Sequence, residues 1–493
     1  MQTRRRNRLS TALDHMPDGP IADHTLRVTG KLPEGVQSRE LYRDVVHIAW
    51  PGFVELILTQ LASMVDLMMV GSIGGAEHTD WGAMALSAVG LTNQPKFLLM
   101  AAFIAMNTGV TAMVARYKGI GEREKANLVV RQGLLFTFVT TVILSVLGIL
   151  FARPMIIFMG STEETVTVWA TQYLQIQLAG FLTMALTSTL TASLRGVGDS
   201  RSSMFYNLIA NAVNVLFNYL LIYGHFGFPE LGVAGASLAT VIGQLVAFII
   251  ALTIILRGNG FLKLELRKGF RPDRKTLGDL LHIGLPTMVE QLLMRVGMVV
   301  FSITVASLGT IAFATHQVCM NIQALSFMTG QAFAISSTTL VGQSLGKKRP
   351  DMAQAYCSRA QRIGMGVAAL LTVIFAFFGG AIVSLYNNDP QIVQMGGRIM
   401  LFVAFVQPFQ ASQFIVAGGL RGAGDTRATA VITMITMMII RPILALVLVY
   451  ATGLGIYGAW IAVAADQLTR TILVFARYKQ GKWKQIRLKS EQH

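Results

Sequence analysis

Long apolar runs separated by short polar stretches set the pattern of this chain. Twelve apolar segments fall at roughly 45–73, 84–113, 129–150, 166–192, 203–224, 232–256, 280–306, 311–341, 363–385, 393–417, 428–450 and 455–476. Each approaches or exceeds the ~20 residues a helix needs to cross a hydrocarbon core. The pattern predicts an all-α integral membrane protein with twelve transmembrane helices. The polar stretches alternate in charge. Lys and Arg collect in the N-terminal tail, in 116–131, 195–201, 257–275, 347–362 and 421–427, and from 477 onward. The others hold Glu77, His78 and Asp80; Glu163 and Glu164; His225 and Glu230; and Asp389, with Arg153 at a span edge. Basic loops stay on the cytoplasmic side, so both termini are expected there.

The halves of the chain repeat. His47-Ile-Ala-Trp-Pro51 recurs as His282-Ile-Gly-Leu-Pro286, each followed by Val-Glu, at Glu55 and Glu290. Leu194-Arg-Gly-Val-Gly-Asp-Ser-Arg201 recurs as Leu420-Arg-Gly-Ala-Gly-Asp-Thr-Arg427, and Leu231-Gly-Val-Ala-Gly-Ala236 as Leu454-Gly-Ile-Tyr-Gly-Ala459. Two six-span bundles follow, related by a pseudo-twofold axis along the membrane normal, the parallel class of transporter repeat. The expected organisation is a polar tail (1–43), an N-lobe (44–256), a cytoplasmic linker (257–279), a C-lobe (280–477) and a basic tail (478–493).

Composition narrows the class. Of 493 residues, 53% are hydrophobic and 13% charged, against about a quarter charged in soluble domains. The net charge of +16 would suggest nucleic acid in a soluble protein. Here the basic residues sit in alternate loops, so the lipid bilayer is the expected partner and nucleic acid is not. The first forty residues, with Arg4, Arg5, Arg6 and Arg8, lack the apolar core of a cleaved signal. Cys319 lies in an apolar run and Cys357 in a basic loop; neither a disulfide nor a metal site is expected. The chain has no zinc-hydrolase, nucleophile-elbow or phosphate-loop motif, so it reads as no enzyme and as not driven directly by ATP.

One carboxylate stands out. Asp66 interrupts Leu61–Gly71, about seven residues before the end of its segment, where a charge costs roughly 2.5–3.5 kcal/mol to insert at the bilayer centre. Such residues usually bind an ion, a proton or a substrate. The repeat pairs Asp66 with Phe301 and Gln60 with Arg295, whereas Glu55 and Glu290 match. Unmatched Asp66 is thus the candidate for chemistry; matched Glu55 and Glu290 suit packing or gating near the cytoplasmic side. At ~1.5 Å per residue, Asn214 and Asn218, one turn apart on span 5, and Thr240 on span 6 lie at similar depth. Together they offer hard ligands for a proton or a small cation such as sodium; the same side chains could instead bond helix to helix. Arg295 and Arg441 are expected to be paired internally, and Asp466 and Arg470, four apart, to satisfy each other. The many methionines, Met64, Met68, Met294 and Met298 among them, suit helix packing and, facing a cleft, a soft wall for varied substrates.

These features together resemble the multidrug and toxic compound extrusion (MATE) family of cation-coupled efflux transporters. The matching pieces are Val65-Asp66 followed by Val70-Gly71, the 85–90 stretch ahead of Asn93-Gln94, Val341-Gly342-Gln343 with Gly346, the paired Leu-Arg-Gly-x-Gly-Asp loops, Asn214 with Asn218, and Asp466 with Arg470. The resemblance spans about 40–480 and implies two bundles around a V-shaped cavity. It also implies export of organic, often cationic and amphipathic, compounds against inward proton or sodium flow, by a monomer without a resident cofactor. It assigns cation coupling to Asp66, assisted by Asn214, Asn218 and Thr240. Some members carry an aspartate where this chain has Asn218, and acidic residues where it has Met294 and Gln410. Those departures argue against a C-lobe cation site and leave proton and sodium both open. Glu55, Glu290, Arg295, Met294, Gln410 and Asp466 remain candidates for gating or for lining the substrate cavity. The alternative is a flippase for lipid-linked precursors with a related architecture, which should carry a cationic cleft.

Overall fold

The computed structural model describes residues 11–15, 36–73, 79–161, 163–258, 260–265, 269–386 and 389–486. Arg4, Arg5, Arg6, Arg8, Glu77 and His78, and the basic tail beyond 486, lie outside the described residues. The helices are α1 (Ser38–Gly71), α2 (Thr79–Ile120), α3 (Arg123–Leu150), a short α4 (Ala152–Phe158), α5 (Glu164–Ala179), α6 (Phe181–Gly196), α7 (Ser200–Tyr223) and α8 (Gly232–Arg257). They continue as α9 (Arg274–Ala306), α10 (Thr310–Gly346), α11 (Pro350–Ser384), α12 (Pro390–Gly422), α13 (Thr426–Ala451) and α14 (Gly455–Lys479).

Eleven of the described helices are long and apolar enough to cross a membrane. The remaining expected span, 166–192, is the pair α5 and α6, 16 residues each, meeting at Gly180. A Cβ at Gly180 would lie 2.4 Å from the Val241 side chain, so glycine lets the junction press against α8. Counted this way the twelve-helix architecture holds. Within α13, two π-helical stretches, Ile435–Ile440 and Val447–Ala451, flank Pro442, whose missing N–H disturbs the regular hydrogen-bond ladder.

The basic stretches differ from the loops expected of them. Only 121–122 separate α2 from α3, only 347–349 separate α10 from α11, and only 423–425 separate α12 from α13. Hydropathy marks where bilayer contact ends, but backbone hydrogen bonding continues beyond it. Cys357 accordingly lies buried on α11 rather than in a loop, and neither it nor buried Cys319 is in a disulfide.

The chain forms two compact units. One comprises 1–53, 115–121 and 282–493; the other comprises 54–114 and 122–281. They differ from the expected lobes chiefly in the first turns of α1. Leu41, Val45 and Ile48 are buried there with Leu340, Tyr356 and Ile415 of the first unit. Asp44 accepts hydrogen bonds from the Ala12 amide (2.8 Å) and the Tyr356 hydroxyl (2.9 Å), which fastens a piece of the N-terminal tail. α1 passes from one unit to the other just after Pro51 and Gly52. The main core of the first unit gathers Phe301, Cys319, Phe375, Met400 and Trp460. The second unit is centred on Phe103, Ile156, Leu174 and Phe181. A satellite cluster of Val70, Ala85, Val89, Ile222 and Val233 binds the end of α1 to α2, α7 and α8.

The basic connector is fastened to α3. Gln132 donates to the Arg271 carbonyl (2.7 Å) and accepts from the Asp273 amide (3.0 Å), and Leu262 and Leu264 are buried. Asp273 caps the start of α9, and hydrogen bonds from the Thr276 hydroxyl and amide hold its carboxyl below the usual range.

Candidate cation-coupling site

The second unit brings α1, α7 and α8 together around Asp66. α7 starts where Asp199 accepts the Ser202 amide and hydroxyl, a capping turn inside the repeated Leu-Arg-Gly-x-Gly-Asp motif. That start fixes the helical phase downstream. Asn214 and Asn218 are both buried on the face toward α1 and α8. Asn218 Nδ2 donates to Asp66 Oδ1 at 2.5 Å. The carboxamide orientation of Asn214 that satisfies both its ends points Nδ2 at Asp66, 2.8 and 3.2 Å from the two oxygens. Its carbonyl then accepts from the Thr240 hydroxyl at 3.3 Å. The single Thr240 hydroxyl proton is shared between that carbonyl and the Ala236 carbonyl of its own helix (3.0 Å), so Thr240 orients Asn214 without bonding Asp66. α7 and α8 approach closely because Gly243 has no side chain: a Cβ there would lie 2.7 Å from the Ala210 carbonyl and 3.1 Å from Asn214 Cβ.

This arrangement suits an ion whose charge comes and goes. Carboxamide N–H groups stabilise a carboxylate by hydrogen bonding, yet they bring no formal charge to neutralise it. Asn218 Oδ1 is buried and has no hydrogen-bond partner among the described residues. An acceptor is therefore at hand for the O–H of a protonated carboxyl once the amide turns over. One charged neighbour escaped the sequence reading. Lys96, on α2, lies within electrostatic reach of Asp66. Its signal was available, since a lysine inside the apolar run 84–113 is as costly as the aspartate. Asn211, also on α7, bonds Thr59 (3.4 Å) instead of the carboxylate.

The other candidates fall in separate places. Glu55 lies three turns before Asp66 on α1, held by Arg195 (2.8 Å), Asn207 (2.7 Å) and Ser203 (3.1 Å). Glu290 on α9 has the equivalent set in the first unit: Arg421 (2.6 Å), Thr429 (3.2 Å) and Thr433 (3.4 Å). A small cavity there is lined by Glu290, Met294, Gln413, Arg421 and Thr433, among others. Arg295 is partly buried on α9. Gln410 is buried, and its Oε1 has no partner among the described residues. Asp466 is fully buried on α14 between two guanidiniums, Arg441 at 2.6 Å and Arg470 at 2.8 Å, and Arg470 also donates to Thr436 at 3.0 Å. The Arg441 guanidinium lies 5.6 Å from the ring centre of Phe301, the repeat partner of Asp66. Asp466 is thus fixed in a charged network, which disfavours the substrate contact or gating considered for it.

Known proteins share this fold. A family model described as MatE matches residues 51–220 and 286–447. The chain is 29% identical over 445 residues to a probable multidrug resistance protein NorM of Thermotoga maritima, across 90% of this chain and 93% of the relative. It is 27% identical over 436 residues to the uncharacterized transporter YisQ of Bacillus subtilis, across 88% and 94%. Among solved structures, an outward-facing multidrug resistance MATE family transporter aligns with TM-score 0.81 at 21% identity, covering 92% of this chain and all (100%) of its own. A MOP superfamily transporter from Pyrococcus furiosus aligns with TM-score 0.80 at 21% identity and the same coverage, 92% and 100%.

Proposed function

The chain belongs to the MatE family of multidrug and toxic compound efflux transporters, and we propose that it exports organic, often cationic, amphipathic compounds by antiport with a proton or sodium ion bound at Asp66. It is a multi-pass membrane transporter and not an enzyme. In the proposed setting it works as a monomer in a bacterial plasma membrane, with both termini cytoplasmic.

The observation that carries this reading is the Asp66 environment. The carboxylate sits inside a spanning helix, bonded by carboxamides from α7 and with no guanidinium against it among the described residues. A cation arriving from outside neutralises Asp66 and removes the need for two amide donors. Asn218 and Asn214 are released to repack, α1 bends near Pro51, and the substrate leaves outward. Release of the cation inside restores the carboxylate and its bonds. A membrane potential of ~100 mV contributes about 2.3 kcal/mol per charge, and a tenfold ion gradient about 1.4 kcal/mol. Their sum would sustain a several-hundred-fold gradient of a neutral solute. For a monovalent cationic substrate exchanged one for one, only the gradient term remains.

The flippase alternative draws no support from Arg441 and Arg470, which are both engaged by Asp466. The test is gradient-driven export of a fluorescent lipophilic cation from liposomes. Asp66→Asn should reach the membrane, bind the dye and lose driven export. Export at the wild-type rate by that variant would refute the assignment.

A further inference from the structure

We propose that the segments leading into α1 and α9 form a crossed pair of straps. Each roots the first helix of its half in the opposite unit and holds that root still during the transport cycle. This rests on the export cycle proposed above, though not on which ion drives it.

The first strap is the N-terminal turn Ala12–His15. It precedes α1 but is fastened to α11 and to the turn before α11. Leu13 is 1% exposed among Leu41, Val45, Tyr356 and Ile415. Its carbonyl accepts from Lys347 Nζ at 2.7 Å. The Ala12 amide and the Tyr356 hydroxyl meet on one oxygen of Asp44, at 2.8 and 2.9 Å. Strap, α1 and α11 are thus tied at a single buried carboxylate, where losing a donor costs more than at an exposed one. All these groups lie in the unit that holds 282–493, and α1 leaves that unit after Phe53.

The second strap is the basic connector. It precedes α9 but is fastened to α3. Asn127 accepts the Lys263 amide at 3.0 Å. Gln132 holds the Arg271 carbonyl and the Asp273 amide together. Leu262 and Leu264 are buried, as Leu13 is. The first turns of α9 are buried in their turn at Thr276, Asp279 and Leu280. Gly109 of α2 packs so closely that a Cβ there would lie 3.1 Å from the Leu280 carbonyl. All these groups lie in the unit that holds 54–114 and 122–281, and α9 leaves that unit after Leu281.

The repeat makes the two arrangements equivalent. With Pro51 set against Pro286, Asp44 falls on Asp279 and Val45 on Leu280, and all four are buried. α3 and α11 are each the third spanning helix of their half. Each lead-in is therefore fastened to the third span of the other half. The N-terminal tail and the connector do not share a sequence, and they reach equivalent places through different bonds. What the two halves share is the placement of an anchor. A helix anchored at one end can be displaced only beyond the anchor, so the straps supply the fixed ends from which α1 and α9 move.

The experiment uses the full chain. Hydrogen exchange of 38–50 and 274–281 is followed in detergent, and export of a lipophilic cation per dye-binding molecule in liposomes. Ala12→Pro removes the amide donor to Asp44, and Leu13→Asp unseats the turn. Gln132→Leu releases the connector and leaves the Asp273 cap of α9 in place. The first two should speed exchange in 38–50 by at least ~10-fold and leave 274–281 unchanged, and Gln132→Leu should do the reverse. All three should bind the cation as the wild type does and turn over several-fold more slowly, whereas a merely stabilising role would leave turnover per binding molecule unchanged. Leu13→Ala and Asn127→Ala serve where a stronger variant does not reach the membrane. Exchange that does not rise in the expected turns, or that rises while turnover per binding molecule stays at the wild-type value, would overturn the proposal. Absence of export from the wild type under every gradient would defeat the cycle itself; wild-type export with unslowed variants would defeat only the straps.

Discussion

Asp66 and Asp466 are two aspartates on spanning helices, one in each unit, and their surroundings are opposites. Asp66 is bonded by carboxamides, with a lysine at a distance. Asp466 is clamped by two guanidiniums at contact distance. The repeat shows how the exchange came about. Its register sets Asn214 against Ile440, Asn218 against Leu444, Thr240 against Val463 and Gly243 against Asp466. Polar ligands on one side are apolar on the other, and the carboxylate has moved from the first helix of its half to the last. A charge clamped twice over at contact distance has no reason to change; one bonded only by dipoles does. Glu55 and Glu290 provide the control. Their partners occupy matching repeat positions, Arg195 with Arg421, Ser203 with Thr429 and Asn207 with Thr433, as expected of a shared structural device.

The comparison can be broken in several ways. The largest effect is expected from Asp466→Ala, which strands two buried guanidiniums and should cost about 3–5 kcal/mol; thermal unfolding of the purified protein in detergent would measure it. Glu55→Gln and Glu290→Gln should each cost about 1–3 kcal/mol, and by similar amounts, because each leaves one arginine without its carboxylate. A cost confined to one of them would break the symmetry argument. Gly243→Ala should cost about 1–3 kcal/mol by wedging α7 from α8, and should weaken proton coupling more than dye binding. Thr240→Val removes one hydroxyl that already bonds its own helix and should cost no more than about 1 kcal/mol, with coupling slowed rather than lost.

Span number, repeat and the intramembrane position of Asp66 were legible in the sequence because each rests on a strong local signal. Apolar length, paired motifs and an intramembrane charge need no tertiary information. The helical extent of the basic stretches was not legible, because hydropathy follows the bilayer and not the backbone. Nor was the close approach at Gly180, where the Val241 side chain of another helix leaves no room for a Cβ. Arg441 was expected to be paired, but its partner Asp466 lies 25 residues away on the next helix, and sequence spacing pointed only to Arg470.

The most direct measurement of the central claim is proton release from the purified, unbuffered protein when a lipophilic cation binds. If the charge of Asp66 is what substrate and coupling ion exchange, the wild type in sodium-free solution should release close to one proton per bound cation, and Asp66→Asn should bind the cation and release none. Equal proton release from both would show that the exchanging group lies elsewhere.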